Sequence, residues 1–313
     1  MANCGRFHPE TTVPLLPAFA APGRFFKGNL HTHSTRSDAV REVGHVCETY
    51  RDAGYDFLAV TDHFLPKFGF PITDTRPYRT NAFTTIMGAE VHAPGTELGE
   101  AWHILAVGLP LDFAPTANGE TGPQLAARCA AAGAFVAIAH PQWYGLTIAD
   151  AESLLPAAHA VEVYNHGCAV GSDRGDGWTL LDALVSRGHA LHACATDDAH
   201  FKYPDWCGGW TMVKAEAPEP EALVAALRAG HCYSSQGPEI HAIDVTGDEV
   251  SVACSPARSV TVLGHASADD MIFGDGMREA RLGISKFRAG GWARVVVVDE
   301  AGRRAWSNPF RLG

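Results

Sequence analysis

Two features predict an α/β barrel followed by a small all-β domain. Short, fully apolar runs alternate with helix-like stretches up to Gly237-Pro238, and after that point the chain changes to alternating strand patterns. A third observation agrees with them: His and acid motifs fall at the ends of the apolar runs, and the rim of a barrel is where such groups collect.

The apolar runs are Phe25 to Leu30, Phe57 to Val60, Thr85 to Val91, Ile104 to Val107, Phe135 to Ala139, Val161 to Tyr164 and Ala190 to Ala195. Runs without polar alternation suit parallel strands buried on both faces. Helical stretches are expected at Arg41 to Ala53, Gly122 to Ala132, Thr179 to Arg187 and Glu219 to Ala229. Three of them close on Gly54, Gly133 and Gly188, as a helix C-terminus does. The number of strand and helix units favours closure of a parallel sheet into a barrel over residues 1–238. Residues 239–313 read as a small β-sandwich-like domain. It holds Ile240 to Val245, Val250 to Ala253, Val260 to Leu263 and Ala293 to Val298, with Asp299-Glu300-Ala301-Gly302 as a hairpin turn.

The 313 residues are 46% hydrophobic, enough for a large core, and carry a net charge of -11 with no basic stretch. That balance argues against tight binding to duplex nucleic acid or to anionic membrane, and favours small substrates. No signal peptide is expected in Met1 to Lys27, which Pro14, Pro17 and Pro22 interrupt, and no later segment reads as a membrane span. A cytoplasmic location follows as the expectation. The eight cysteines, Cys4 among them, are scattered without a C-x-x-C pair and read as small buried hydrophobes.

Histidine is in excess: 16 residues, about double ordinary usage. His31-Thr32-His33 follows the first apolar run, and residues two apart on an extended chain face the same way. Asp38 follows in the loop; Asp62-His63, Glu90 and His140 end the next runs, and Asp198-Ala199-His200 repeats the two-residue spacing. His103 is the exception, because it begins its run. A lone His at a strand end is more often structural than a ligand, but coincidence of so many is improbable. His31, His33, Asp38, His63, Glu90, His103, His140, Asp198 and His200 exceed what one zinc needs and suffice for two or three divalent ions. Glu90, with two carboxylate oxygens, is the natural bridge. Sequence leaves Zn, Mn and Fe open.

His31-Thr32-His33-Ser34, Ser37-Asp38, Thr61-Asp62-His63, Gly88-Ala89-Glu90, His103, Ala139-His140-Pro141 and Asp198-Ala199-His200 together resemble the PHP (polymerase and histidinol phosphatase) superfamily of metallophosphoesterases. The resemblance covers about residues 24–238. It implies a distorted (β/α)7 TIM-like barrel, a centre of two or three metals, and hydrolysis of phosphate esters. It places one metal near His31, His33, Glu90 and Asp198, a second near Glu90, His103 and His140, and a third near Asp38, His63 and His200. The segment from Ala226 to Pro238 and Ala305-Trp306-Ser307-Asn308-Pro309 look like the CehA/McbA-type metallohydrolase branch, named after carbamate-ester hydrolases.

Catalytic candidates are His200, Asp198, Asp62 and His231, with His200, His231 or a metal-bound water as sources of the leaving-group proton and Asp62 and Asp197 for orienting a neighbouring His or water. Arg36, Lys202, Glu162 and Asn165 are candidate substrate contacts. The other ten histidines, His8, His45, His92, His159, His166, His189, His192, His231, His241 and His265, read as structural, with His92 and His166 the most open to revision. Trp102, Trp143, Trp206 and Trp210 lie near motifs and read mainly as packing. The expected substrate is a small phosphomonoester, a cyclic nucleotide or an oligonucleotide end. A carboxylic or carbamate ester and a non-catalytic metal-binding regulator are the alternatives.

Overall fold

The computed structural model describes residues 16–312; His8, expected to be structural, and Cys4, expected to be buried, lie outside the described residues, as does most of Met1 to Lys27. In chain order the strands are β1 Arg24–Asn29, β2 Phe57–Val60, β3 His63–Phe64, β4 Thr84–Ala93, β5 Trp102–Val107, β6 Phe135–Ile138, β7 Ala160–Asn165 and β8 His192–Thr196. They continue with β9 Trp210–Ala215, β10 Cys232–Ser235, β11 Ile240–Thr246, β12 Glu249–Gly264, β13 Asp269–Gly283, β14 Trp292–Val298, β15 Arg304–Ser307 and β16 Phe310–Arg311. The helices are α1 Pro17–Ala20, α2 Val43–Asp52, α3 Gly122–Ala131, α4 Ile148–Leu154, α5 His166–Ser172, α6 Trp178–Ser186 and α7 Pro220–Arg228.

Every apolar run in the first 238 residues forms a strand, and the four expected helices form. Gly54, Gly133 and Gly188 all take positive φ, the left-handed turn that ends a helix without a Cβ clash. In α3 and α4 the N-terminus is closed by a capping box, Thr121 with Gln124 and Thr147 with Asp150.

The barrel expectation needs correction: the sheet is mixed and open. Its order is β11-β12-β14-β15-β10-β9-β1-β2-β4-β5-β6-β7-β8. Pairs β1–β2, β2–β4, β6–β7 and β7–β8 are parallel. Pairs β1–β9, β9–β10, β4–β5 and β5–β6 are antiparallel. The free edge of β8 is met by side chains instead of a strand. Thr211 Oγ1 on β9 donates to the Ala195 carbonyl at 2.9 Å and accepts its N–H at 3.2 Å. Asn308 Oδ1 accepts the Ala193 N–H at 2.8 Å while its Nδ2 donates to the Gly230 and Cys232 carbonyls. The edge groups are thus satisfied without a closing ladder.

This topology also explains the histidine that broke the sequence pattern. Because β5 runs antiparallel to β4, its first residues lie level with the last residues of β4, and His92 pairs with His103 in register. His103 reaches the common rim from the start of its strand.

Beyond Pro238 the sheet continues without interruption: β15 pairs β10, β14 pairs β15, and the β14–β15 turn falls at Asp299 to Gly302 as expected. The two short runs at 250–253 and 260–263 are one long irregular strand, β12. A separate core here gathers Ile243, Val250, Val260, Val295 and Phe287, with Phe19 of α1 stacked on Tyr233 at 6.1 Å. Among the described residues no helix is long and apolar enough to cross a membrane.

Candidate metal centre

The strand ends converge on Glu90, which is fully buried. Its Oε1 faces His103 Nδ1 at 2.6 Å and His140 Nε2 at 3.0 Å. Its Oε2 faces His63 Nδ1 at 2.6 Å, His92 Nε2 at 3.6 Å, and the Nε2 atoms of His31 and His33 at 3.7 Å. One carboxylate therefore serves two sides of the cluster. Burial alone would raise its pKa, but the imidazoles of His63, His103 and His92 hold it well below the usual carboxylate range.

Asp198 is the second anionic centre, with Oδ1 at 2.9 Å from His33 Nε2 and 3.3 Å from His31 Nε2. It too stays ionised against burial, through His31 and His33. Asp38 completes the set at the mouth, where its Oδ1 lies 3.2 Å from His200 Nε2 and 3.4 Å from His63 Nε2. Asp198 (φ 55°) and His140 (φ 22°) hold left-handed backbone conformations that side chains normally avoid. Such strain persists where the surrounding packing imposes it, and here it aims two side chains into the cluster.

Several imidazoles are oriented by their outward nitrogen. His31 Nδ1 donates to Glu162 Oε1 at 2.9 Å, His92 Nδ1 to the Trp102 carbonyl at 3.1 Å, and His200 Nδ1 to the Asp198 carbonyl at 3.0 Å. In each case Nε2 is left facing inward, where it offers a lone pair once its proton is displaced. Despite burial, Asp198 and Glu162 lift His31 well above the ordinary imidazole value, and Asp38 and Asp198 lift His200 to about 9. Burial together with His63 and His200 keeps His33 neutral, and burial takes His92 down to about 3.

The residues fit divalent cations. Four groups place one ligand atom per residue within 4.8 Å of one another: His33, Asp38, His63 and His200; His31, His33 and Asp198; His31, Glu90 and His140; His63, Glu90 and His92. His31 Nε2, Asp38 Oδ1 and Glu90 Oε2 are buried and lack a hydrogen-bond partner. Buried polar atoms are ordinarily satisfied, so orphaned acceptors converging on one space are what a cation site requires. Above the cluster opens a cavity of about 280 Å³ lined by Asp38, His63, His103, His140, Trp143, Asp198, His200, Tyr203 and one face of α5.

No family model and no curated protein matches this chain. Among solved structures, a two-domain protein from Bacteroides vulgatus containing a predicted PHP-like metal-dependent phosphoesterase aligns over 99% of both chains, with TM-score 0.54 and 14% identity. The chain has a PHP-like fold. Partial likeness extends to PsfC from Pseudomonas syringae, covering 62% of this chain and 84% of that one at TM-score 0.41 and 16% identity. An amidohydrolase from Chromobacterium violaceum, solved with sulfate and no metal, covers 55% and 87% at TM-score 0.40 and 14% identity.

On this PHP-like scaffold the nine sequence-nominated ligands meet in one cluster, but their grouping differs from that expected. His33 reaches the Asp38, His63 and His200 group as well as His31 and Asp198. His103 touches the cluster through Glu90 and joins none of the four groups. His92, read as structural, belongs to one of them. It stands two residues after Glu90, the same spacing that singled out His31 with His33 and Asp198 with His200, so the signal was present.

Other assignments are corrected by position. Asp62 is buried behind the ligands and accepts from the Ser34 N–H and from the hydroxyls of Ser34, Ser37 and Thr73, so it clamps the 34–37 loop and takes no catalytic position. Asp197 likewise accepts from Tyr50 and from the N–H groups of Cys207, Gly208 and Gly209, and burial pushes its carboxyl up to about 6. His231 precedes β10, whose Cys232 pairs with Val213 and through it with Phe26 of β1. That is the end of the sheet opposite the cluster, which removes His231 from the catalytic candidates.

Glu162 and Asn165, expected at the rim as substrate contacts, are fully buried. Glu162 holds His31, the His140 N–H and the Thr196 hydroxyl, while Asn165 Nδ2 donates to Glu162 Oε2 at 2.9 Å and Asp198 Oδ2 at 3.1 Å. They hold side chains of the cluster from behind and do not line the cavity. Lys202 stays at the mouth, its Nζ 3.2 Å from Asp38 Oδ2. Arg36 is exposed and is not among the residues lining the cavity. Helix α5 was missed because its Gly- and Ser-containing sequence carries little helical signal. Gly167 within it lies so close to the Asp197 and Asp198 carbonyls that a Cβ would stand 2.9 Å from both.

Proposed function

We propose that the chain is a metal-dependent hydrolase of small phosphate esters, working with two or three divalent cations such as Zn, Mn or Fe. The observation that carries this reading is the Glu90 carboxylate, whose two buried oxygens face different histidines and can serve two ions at once. Such ions supply Lewis acidity and bring the pKa of water toward neutrality. Glu162 and the Trp102 and Asp198 carbonyls fix His31, His92 and His200 so that their inward nitrogens need no reorganisation. Asp198, Asp38 and Glu90 contribute three negative charges, fewer than two divalent cations carry, so the loaded centre attracts an anionic ester. The Lys202 ammonium adds positive charge at the entrance. The cavity, about 280 Å³, suits a small ester better than a polymer lying across it.

The test is a panel of p-nitrophenyl phosphate, bis-p-nitrophenyl phosphate and 1-naphthyl N-methylcarbamate, assayed before and after chelation and with Zn, Mn or Fe returned. Phosphate-ester turnover that disappears on chelation and returns with metal is expected. Turnover of the carbamate alone would replace the phosphate reading with carboxylic or carbamate ester hydrolysis.

A further inference from the structure

A second cavity, of about 630 Å³, opens where the sheet beyond Pro238 meets the loop between α5 and α6, and it shares no lining residue with the cavity above Glu90. One wall is a sheet face. Leu263 pairs with Arg294, Val296 with Trp306 and Val298 with Arg304, so the two-residue period of β14 and β15 puts Arg294, Val296, Trp306 and Arg304 on the same side. The other wall is the loop. It is tied to β7 by the Asn165 N–H on the Gly175 carbonyl and the Gly177 N–H on the Val163 carbonyl, each at 3.0 Å. Gln142 Oε1 accepts the Asp176 N–H at 3.0 Å, and Tyr164 and Trp178 line the same space.

Some polar groups of this lining are spent on the protein itself. Arg294 donates from Nε and Nη2 to Asp182 at 2.9 and 2.8 Å and lies 3.9 Å over the Trp178 ring, which fixes α6 on the sheet. Others are not spent. The Arg304 guanidinium on the sheet wall and the Asp173 carboxylate at the end of α5 have no hydrogen-bond or ion-pair partner among the described residues, and they do not pair with each other. Trp178 is only 7% exposed, yet its indole Nε1 is buried without an acceptor. Buried donors are ordinarily satisfied, so this one calls for an acceptor that the protein does not supply. The lining therefore offers one unpaired cation, one unpaired anion and an orphaned donor, alongside the apolar surfaces of Tyr164, Val296 and Trp306.

We propose that this cavity binds a free α-amino acid with an apolar side chain. Its carboxylate goes to the donors, the Arg304 guanidinium and the Trp178 N–H, and its ammonium to Asp173. Its side chain lies against Tyr164, Val296 and Trp306. A ligand with a single charge would leave Arg304 or Asp173 unused, whereas a zwitterion uses both and adds no net charge. The site stands apart from the proposed phosphate chemistry and does not depend on it. Its loop wall is nevertheless backed on β7, where Glu162 and Asn165 hold His31 and Asp198.

The experiment is calorimetry on the full metal-loaded chain with L-leucine and L-phenylalanine, each beside its decarboxylated amine and its deaminated acid. At least one of the amino acids is expected to bind at one per chain with Kd below about 1 mM, and its amine and acid analogues about tenfold or more weakly. Arg304→Ala and Asp173→Ala, both at exposed positions, should each weaken binding about tenfold, while Arg278→Ala on β13 should leave it unchanged. Binding that survives intact in either the Arg304 or the Asp173 variant would place the ligand elsewhere, the metal centre included, and overturn the site. Equal binding of the amine or the acid would overturn it as well, as would no binding of either amino acid up to about 10 mM.

Discussion

Glu90→Gln is expected to lower kcat/KM for a phosphate ester by about a thousandfold, a loss of about 4 kcal/mol of transition-state stabilisation. The amide keeps the volume of the carboxylate, so packing against β3 and β5 should survive. What disappears is the charge that six imidazoles share: Oε1 faces His103 and His140, and Oε2 faces His63, His92, His31 and His33. The Nε2 hydrogens of Gln would also point donors at nitrogens that must offer lone pairs. Metal analysis of the variant should show loss of bound ion alongside loss of rate. Glu48→Gln, on the exposed face of α2, should leave both unchanged. Full activity in Glu90→Gln would remove the bridging role.

The second large effect is the dependence of cation affinity on pH. In the chelated protein His200 sits at about 9 against an ordinary 6.5, and His31, His63 and His140 are raised as well. Protons therefore compete with cations for these nitrogens. Affinity should climb with pH by about tenfold per unit for each proton displaced, the His200 contribution levelling off above about pH 9. The stability of the chelated chain moves the other way. A group whose folded value is raised contributes fully below its unfolded value of 6.5, and that contribution is lost as pH rises through about 9. Chelator competition for Zn or Mn between about pH 6 and pH 9, with thermal unfolding of the chelated protein in the same buffers, measures both slopes. Affinity independent of pH would show that these imidazoles are not the ligands.

Much of this site could be read from sequence because its chemistry sits in short local patterns. The pairs His31/His33 and Asp198/His200 are two residues apart, and Asp62-His63, Glu90 and His140 end apolar runs, so strand geometry alone brings them to one rim. What could not be read depends on topology. The antiparallel turn of β4 into β5 carries His103 and His92 to the same level, and nothing local in the sequence announces strand direction. The open sheet had the same cause, since a run of apolar residues does not say whether its neighbour is parallel, or whether Thr211 and Asn308 will satisfy the edge of β8 in place of a strand.

The assignments of Asp62, Glu162 and Asn165 erred for a related reason. All three stand beside or between ligand motifs, and sequence proximity does not distinguish a side chain facing the cavity from one facing the loop behind it. Their burial and saturated hydrogen bonding decide the matter. His231 erred through distance: it follows α7 into the far end of β10.

The most direct measurement is the number of metal equivalents bound per chain, by elemental analysis after reconstitution with Zn, Mn or Fe and removal of free ion. About two or more equivalents are expected, as required for a carboxylate shared between ions. A chain that retains none of these metals, or that keeps its full complement when Glu90 and Asp198 are both replaced by alanine, would contradict a metal centre built on this cluster.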